Sequence, residues 1–341
     1  MATLSAKYPT LADLAKQMDG DGNVVPDIIE ILNDTNPVLE DMPWFECNDG
    51  SKHLTTIRSG IPQATWRRLY QGVQPQKATN VQVEDTCGML EAWSEIDSKL
   101  VEMSKNPAQF RLNEAHAFIE GMNQQMATTL FYGNTDVDPE QFMGLSPRFD
   151  QLTGADNSRQ VLDGGTDTDL VNTSIWMIVW GPRTVHGLYP ESSEAGLKRE
   201  DKGKTTKENS DGSLYDVHRE KFTWDCGLSV RDWRYVVRIC NIKVSDLTSG
   251  GIDVLGLLRQ GFWKLKQRQI AGGRAAIYMN SDACEALDAQ TTPTTNTGST
   301  QATAGSIRLT RAEADGKEVM SYRGIPIRET DAIINTEQQY S

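Results

Sequence analysis

The stretch NPAQFRLNEAHAFIEGMNQQMATTLFYG, residues 106–133, decides how the chain is read. Asn106 is a residue type that caps a helix N-terminus, and Pro107 suits the first helical position, where its missing N–H is no loss. Apolar residues then recur at Phe110, Leu112, Ala115, Phe118, Ile119, Met122, Met126, Leu130 and Phe131, the spacing of one helix face. Gly133 follows as the expected C-terminal cap. At 1.5 Å per residue, a helix over 107–132 runs roughly 40 Å. That is long for a globular domain and predicts a beam along one side of a body.

N-terminal to the beam, residues 53–97 read as a two-stranded excursion. Thr55–Arg58 and Thr79–Val83 are strand-like and flank a middle broken by Gly60, Pro62, Gly72 and Pro75. Its tip is polar, cationic and aromatic: Trp66, Arg67, Arg68, Tyr70 and Lys77. An isolated hairpin is marginally stable at best, so this one needs a neighbour to lie on. Residues 1–52 carry short helical patterns around Leu11–Met18 and Ile28–Leu32, interrupted by glycine and proline, and read as an arm that packs against something else.

C-terminal to the beam, a Gly, Asp and Asn-rich loop (133–172) leads into β-forming sequence at Ile175–Trp180, Leu214–Trp224 and Leu228–Ile242. Glu191–Gly212 reads as a charged, turn-rich loop. Residues 251–270 read as an amphipathic helix through Ile252, Leu255, Leu258, Phe262 and Leu265. Ala275–Met279 reads as a short buried strand and Asp282–Leu287 as a short helix. Thr291–Gly305 has no core-forming residue and reads as a linker. Short strands are expected around Ile307–Leu309, Glu318–Tyr322 and Ile325–Ile334.

The 341 residues carry 34 Lys and Arg against 47 Asp and Glu, a net charge of −13. That balance argues against a protein whose affinity comes from neutralising phosphates. Ile175–Trp180 is the longest apolar run, far short of the roughly 20 residues that span a bilayer. Met1–Gln17 lacks a cationic stretch followed by an apolar one, so no signal peptide and no membrane are expected, and the protein reads as soluble and made inside the cell. The five cysteines (Cys47, Cys87, Cys226, Cys240, Cys284) form no Cys-x-x-Cys pair and read as small packed side chains in a reducing compartment.

Chemistry-bearing motifs are missing. Neither nucleotide-binding glycine pattern occurs, and there is no Gly-x-Ser-x-Gly elbow. His53, His116, His186 and His218 lack metal-ligand spacing, and His116 reads as a helix-flank residue. Asp19, Asp21, Asn23 and Glu30 mimic a calcium loop, but Val24 stands where the loop needs glycine. Asp163–Asp169 reads as a solvated acidic loop. No catalytic, metal or cofactor site is therefore expected. The Trp and Arg pairing at 66–68 fits a protein–protein contact better than a single-stranded nucleic acid site, given the acidity of the whole.

An arm, a long hairpin, a beam helix, a mixed β region and returning strands, in that order, resemble a tailed-phage major capsid protein of the Hong Kong 97-like fold. Leu4-Ser5-Ala6, Pro9-Thr10-Leu11-Ala12-Asp13, Arg58-Ser59-Gly60-Ile61-Pro62, Trp66-Arg67, Gly72-Val73-Gln74-Pro75, Gly88-Met89-Leu90-Glu91, Leu130-Phe131-Tyr132-Gly133-Asn134, Pro139–Leu145 and Tyr322–Ile327 are similar to the major capsid family of short-tailed, epsilon-type phages. The resemblance implies an α+β fold divided into an N-terminal arm (1–52), an extended-loop region (53–97), a peripheral domain (98–170) with spine helix 107–132, an axial domain (171–290), and a linker with returning peripheral strands (291–341). It implies self-assembly as hexamers and pentamers into an icosahedral shell around double-stranded DNA, bound without sequence specificity, in a virion assembled in the host cytoplasm. Trp66, Arg67, Arg68, Tyr70 and Lys77 would make the inter-subunit contact. No long coiled-coil leader precedes Leu4, so a fused scaffolding segment is not expected, and a separate scaffolding protein, a portal and a decoration protein stay open as partners. Some members of the wider fold join subunits through a lysine, and Lys77 lies in the candidate loop, but epsilon-type relatives are not expected to do so. Two alternatives stay open on sequence: an encapsulin-like cellular nanocompartment shell, and an enzyme with a dispersed Cys/His site.

Overall fold

The computed structural model describes Pro9 and residues 36–166, 168–191, 193–265, 273–291, 309–314 and 317–340. The expected helical turns of the arm before residue 36, the calcium-like loop at Asp19–Glu30 and most of the Thr291–Gly305 linker lie outside these residues.

In chain order the elements are α1 (Val38–Asp41), β1 (Trp44–Glu46), β2 (Lys52–Gly60), β3 (Thr79–Asp97), α2 (Ser98–Met103), α3 (Pro107–Tyr132), β4 (Val161–Asp163), β5 (Asn172–Trp180), β6 (Val185–Tyr189), β7 (Lys198–Glu208), β8 (Leu214–Val230), β9 (Val236–Lys243), α4 (Val244–Ser249), α5 (Val254–Lys264), β10 (Arg274–Met279), α6 (Ser281–Thr291), β11 (Leu309–Ala314), β12 (Lys317–Tyr322) and β13 (Ile325–Glu329). Among the described residues one connected ladder runs β11-β12-β13-β10-β5-β6-β8-β3-β2, with β1 on β6, β7 on β8, and β9 joining β4 and β5. Among the described residues no helix is long and apolar enough to cross a membrane.

The beam forms as its sequence dictates. Asn106 accepts a side-chain hydrogen bond from the Gln109 N–H (3.3 Å), Pro107 opens the helix, and Phe110, Ala115, Met122, Met126, Leu130 and Phe131 are buried. Phe118 stacks on Phe222 of β8 with centroids 5.6 Å apart. Gly133 does end the helix, but not as a left-handed cap: its φ is −53°. Glycine is required because a Cβ there would sit 2.6 Å from the carbonyl oxygens of Phe142 and Thr129.

β5 is the centre of the body. Trp176, Ile178 and Trp180 face a core shared with α3 and β8, while Ile175, Met177 and Val179 face a second core under α5 and α6. Burial on both faces explains the unbroken apolar run, since alternation appears only where one face meets water. At the end of the first core lies a buried charge cluster. Arg238 of β9 meets Glu337 of the C-terminal segment at 2.9 Å, with Arg238 and Glu337 almost fully buried. Tyr132 donates to Glu337 (2.5 Å), Ser174 bonds it as well, and the Arg238 guanidinium lies 3.9 Å from the Tyr340 ring centroid.

Several expectations change. Glu191–Gly212 is not simply a loop: Lys198–Glu208 forms β7, antiparallel to β8. Its sequence, KREDKGKTTKE, has no apolar alternation because ion pairs rather than burial tie it down. Arg199 and Arg111 of α3 both grip Glu220 of β8 (2.7 and 2.5 Å), and Arg111 also reaches Asp201 of β7 (2.7 Å). Leu228–Ile242 is two strands, split where Asp232 accepts from the Arg234 N–H (3.1 Å) and turns the chain. The helix expected over 251–270 is the shorter α5, ending before Leu265, and residues 266–272 lie outside the described residues. The helix expected at Asp282–Leu287 is longer, and the last strand ends at Glu329. Within the 171–290 segment, β7 and β8 lie beside α3 and β3 rather than apart from them.

Candidate assembly interface

β3 is shared between two ladders. Thr79–Thr86 pairs with β2, from Gly60↔Thr79 to Lys52↔Thr86. Cys87–Asp97 pairs instead with β8, from Cys87↔Gly227 to Asp97↔Val217. The outer half with β2 therefore stands out from the body, and residues 61–78 close it without regular structure.

Trp66, Arg67, Arg68, Tyr70 and Lys77 are all exposed, and Trp66 and Tyr70 touch so little of their own chain that they are fully accessible. Trp66, Arg67, Arg68 and Tyr70 share the turn at the tip. Arg67 Nε donates to the Gln71 carbonyl (3.0 Å), the Gln71 N–H donates to the Arg68 carbonyl (3.3 Å), and Tyr70 takes a left-handed φ of 65°. Lys77 is not part of this group and lies at the end of the closing segment, two residues before β3 begins at Thr79. Ile61 and Leu69 add exposed apolar surface to the tip. Together with Trp66 and Tyr70 they place four large exposed apolar or aromatic side chains on one projection.

The foot is clamped by buried polar groups. His53 of β2 stands opposite Asp85 of β3, whose carboxylate meets Arg148 at 2.8 Å. Arg231 Nη2 lies 2.6 Å from His53 Nε2, the His53 ring meets His186 edge-on at 5.8 Å, and Phe45 also meets His186 edge-on at 5.0 Å. Burial, reinforced by Arg231 and His53, pulls the His186 pKa down from 6.5 to about 4. Burial and Arg231 also lower His53. Both rings are therefore neutral packing groups at pH 7. His116 is exposed on α3, and His218 is half-buried on β8.

On the outer face of β3, β8 and β7 lies an open basin of about 570 Å³, lined by Met89, Glu91, Glu191, Glu194, Glu200 and Asp225 among others. Five carboxylates stand there against two ammonium groups, Lys198 and Lys221. Lys221 pairs with Glu91 (2.6 Å), while Met89 is largely exposed and supplies an apolar floor. Sequence reasoning missed this basin because its lining comes from three segments with no common motif.

Among the described residues no group of His, Cys, Asp or Glu has metal-holding geometry. The acidic stretch Asp163–Asp169 is not merely solvated. Asp163 accepts from Asn241 (3.0 Å) and Asp169 from the Gln339 N–H (2.8 Å), fastening the C-terminal segment.

The family model for the major capsid protein GP7 matches residues 19–341. The chain is a major capsid protein of this family. The capsid protein in the structure of bacteriophage Epsilon15 is similar at 35% identity, with 99% of each chain covered and a TM-score of 0.75. The α+β fold is accordingly the Hong Kong 97-like fold of phage coat proteins. Fainter likenesses are to the SrpI encapsulin of Synechococcus elongatus (11% identity, 67% of this chain and 94% of that chain, TM-score 0.44) and to the capsid of a native GTA particle (8%, 64% and 94%, 0.43). No curated protein matches the sequence. The major capsid protein is a structural component of the virion capsid and assembles with copies of itself.

Proposed function

We propose that this coat protein assembles as hexamers and pentamers into an icosahedral shell around the double-stranded DNA of a short-tailed phage, and that the hairpin tip is the contact each subunit lays on the next. The observation that carries this reading is the tip itself: Trp66, Arg67, Arg68 and Tyr70 stand exposed on a projection with no core of its own. Trp and Arg are the residue types that anchor interfaces. The acidic basin floored by Met89 has the opposite charge and enough room for such a tip, and it is the surface we assign to receive it from a second copy of the chain.

In this reading residues 1–52 act as the arm and 53–97 as the extended loop. Residues 98–170 with α3, joined by β7 and the adjoining part of β8, form the peripheral domain. The rest of 171–290 forms the axial domain, and 291–341 returns to the periphery. Lys77, at the outer start of β3, contributes charge to the contact. Net acidity suits a container that encloses DNA without gripping it. Scaffolding, portal and decoration proteins join as separate chains, and the shell is built in the host cytoplasm.

The test is the double variant Trp66→Ala, Arg67→Ala. It is expected to give a soluble chain with near-normal circular dichroism and melting, yet few or no shells by electron microscopy where the wild type forms them. A variant that unfolds assigns the hairpin to the subunit's own core. One that assembles normally removes the tip as the anchor.

A further inference from the structure

Two thiols meet where the hairpin joins the body. Cys47 Sγ and Cys87 Sγ are 3.3 Å apart although 40 positions separate them in sequence. Each is delivered by its own backbone anchor. Cys47 follows β1, and its N–H donates to the Tyr189 carbonyl at the end of β6 (2.9 Å). Between them the chain turns back through Gly50, at a left-handed φ of 59°, between the paired Asp49 and Lys52. Cys87 is the first residue of β3 to pair with β8, and its N–H donates to the Ser51 carbonyl (3.1 Å). Opposite it, Gly227 keeps room for the sulfur: a Cβ there would lie 3.0 Å from Cys87 Sγ. All five cysteines are described and free, and the other three have different neighbours. Cys226 abuts the Met126 sulfur (3.2 Å), Cys240 donates to the Leu162 carbonyl (3.5 Å), and Cys284 packs beside the second core.

A disulfide holds its sulfurs at about 2.05 Å, so the pair needs roughly 1.2 Å of approach, within reach of small side-chain rotations. We propose that Cys47 and Cys87 are a dithiol that closes to an intrachain disulfide once the chain leaves reducing surroundings and meets a small disulfide oxidant such as oxidised glutathione. Half-buried Cys87 reacts first: its thiolate attacks one sulfur of the oxidant and releases one small thiol. Buried Cys47 then attacks the Cys87 sulfur of the mixed disulfide and releases the second. Two protein thiols become one disulfide, the oxidant's disulfide becomes two thiols, and the two cysteine protons pass to the departing sulfurs. The bond would weld the strand that ends the arm to the root of the hairpin, at the residue where β3 passes from one ladder to the other. Burial raises both thiols above their ordinary value, so the thiolate is scarce at neutral pH and closure is slow, speeding up about tenfold per pH unit. A reducing cytoplasm keeps the pair open.

The experiment treats the purified full-length chain with oxidised glutathione, blocks remaining thiols, and nicks the folded protein with trypsin at the exposed Arg67 and Arg68. On a denaturing gel without reductant the two fragments are expected to stay joined, and to part when dithiothreitol is added. Peptide mapping should find Cys47 linked to Cys87, with Cys226, Cys240 and Cys284 alkylated. Cys47→Ser should retain a glutathione adduct on Cys87 and release both fragments without reductant. Fragments that separate without reductant in the wild type overturn the proposal. So does a link from Cys87 to Cys226 or between two chains, or a wild-type Cys87 that keeps its glutathione.

Discussion

β5 and the outer half of β3 belong to one connected ladder, yet their surroundings are opposite. Every residue of β5 is buried, whereas in Thr79–Thr86 only Asp85 is buried and Val83 half-buried. The first strand gains its stability from its own chain, with aromatic and branched side chains on both faces. The second has a single partner strand and a tip that its chain leaves bare. In the assembly proposed above, one polypeptide separates what makes it a folded subunit from what makes it adhesive, and the two are expected to respond to different perturbations.

The sharpest break lies in the body. Arg238→Leu leaves the Glu337 carboxylate buried without its cation, and is expected to destabilise the subunit by about 3–5 kcal/mol in urea unfolding. A loss below 1 kcal/mol would mean that the C-terminal segment is not held through this pair. Acid probes the clamp at the hairpin foot. His186 is neutral in the fold down to about pH 4, whereas the unfolded chain takes up the proton near 6.5. Between those values the unfolded state binds more protons, so stability falls as pH drops through that window, by roughly 3 kcal/mol at its lower end. The same titration on His186→Gln should be flatter there; an identical slope assigns the acid sensitivity to other groups.

Changes on the adhesive side should leave the subunit almost untouched. Glu191→Lys with Glu194→Lys reverses charge at exposed basin positions. Unfolding free energy is expected to move by no more than about 0.5 kcal/mol, while shell yield by electron microscopy collapses. Normal yield would rule out the basin as the receiving surface. The smallest effect concerns Lys77: boiled and reduced shells should run as one monomer band, and Lys77→Ala should change neither band nor yield appreciably. A ladder of multiples would reveal a covalent bond between subunits.

The beam helix was legible because its cap, opening proline and apolar stripe are local signals that agree with one another. β5 was legible because burial on both faces leaves a continuous apolar run. β7 was not, since a strand held by cross-strand ion pairs leaves no hydrophobic alternation to detect. The split between β8 and β9 was hidden for the opposite reason: Arg231–Tyr235 turns without glycine or proline inside a β-rich stretch. The tip residues could be picked out as cationic and aromatic, but the basin could not, because Met89, Glu191 and Asp225 converge only through strand register. Arg238 offered no hint either, as its partner Glu337 is 99 positions away. Gly133 was correctly placed at the helix end for a reason invisible in sequence, the approach of the Phe142 carbonyl.

The sharing of β3 between two ladders has a mechanical side. Its 19 residues, at about 3.3 Å each, make a rod of roughly 60 Å. A pull on the tip is carried along covalent backbone into the eleven paired positions with β8, Cys87 to Asp97. Those hydrogen bonds lie across the line of force, so tension loads them together in shear instead of peeling them one at a time. Internal pressure that stretches a closed surface made of such units would meet resistance from whole ladders acting in concert, although each bond within them is individually weak.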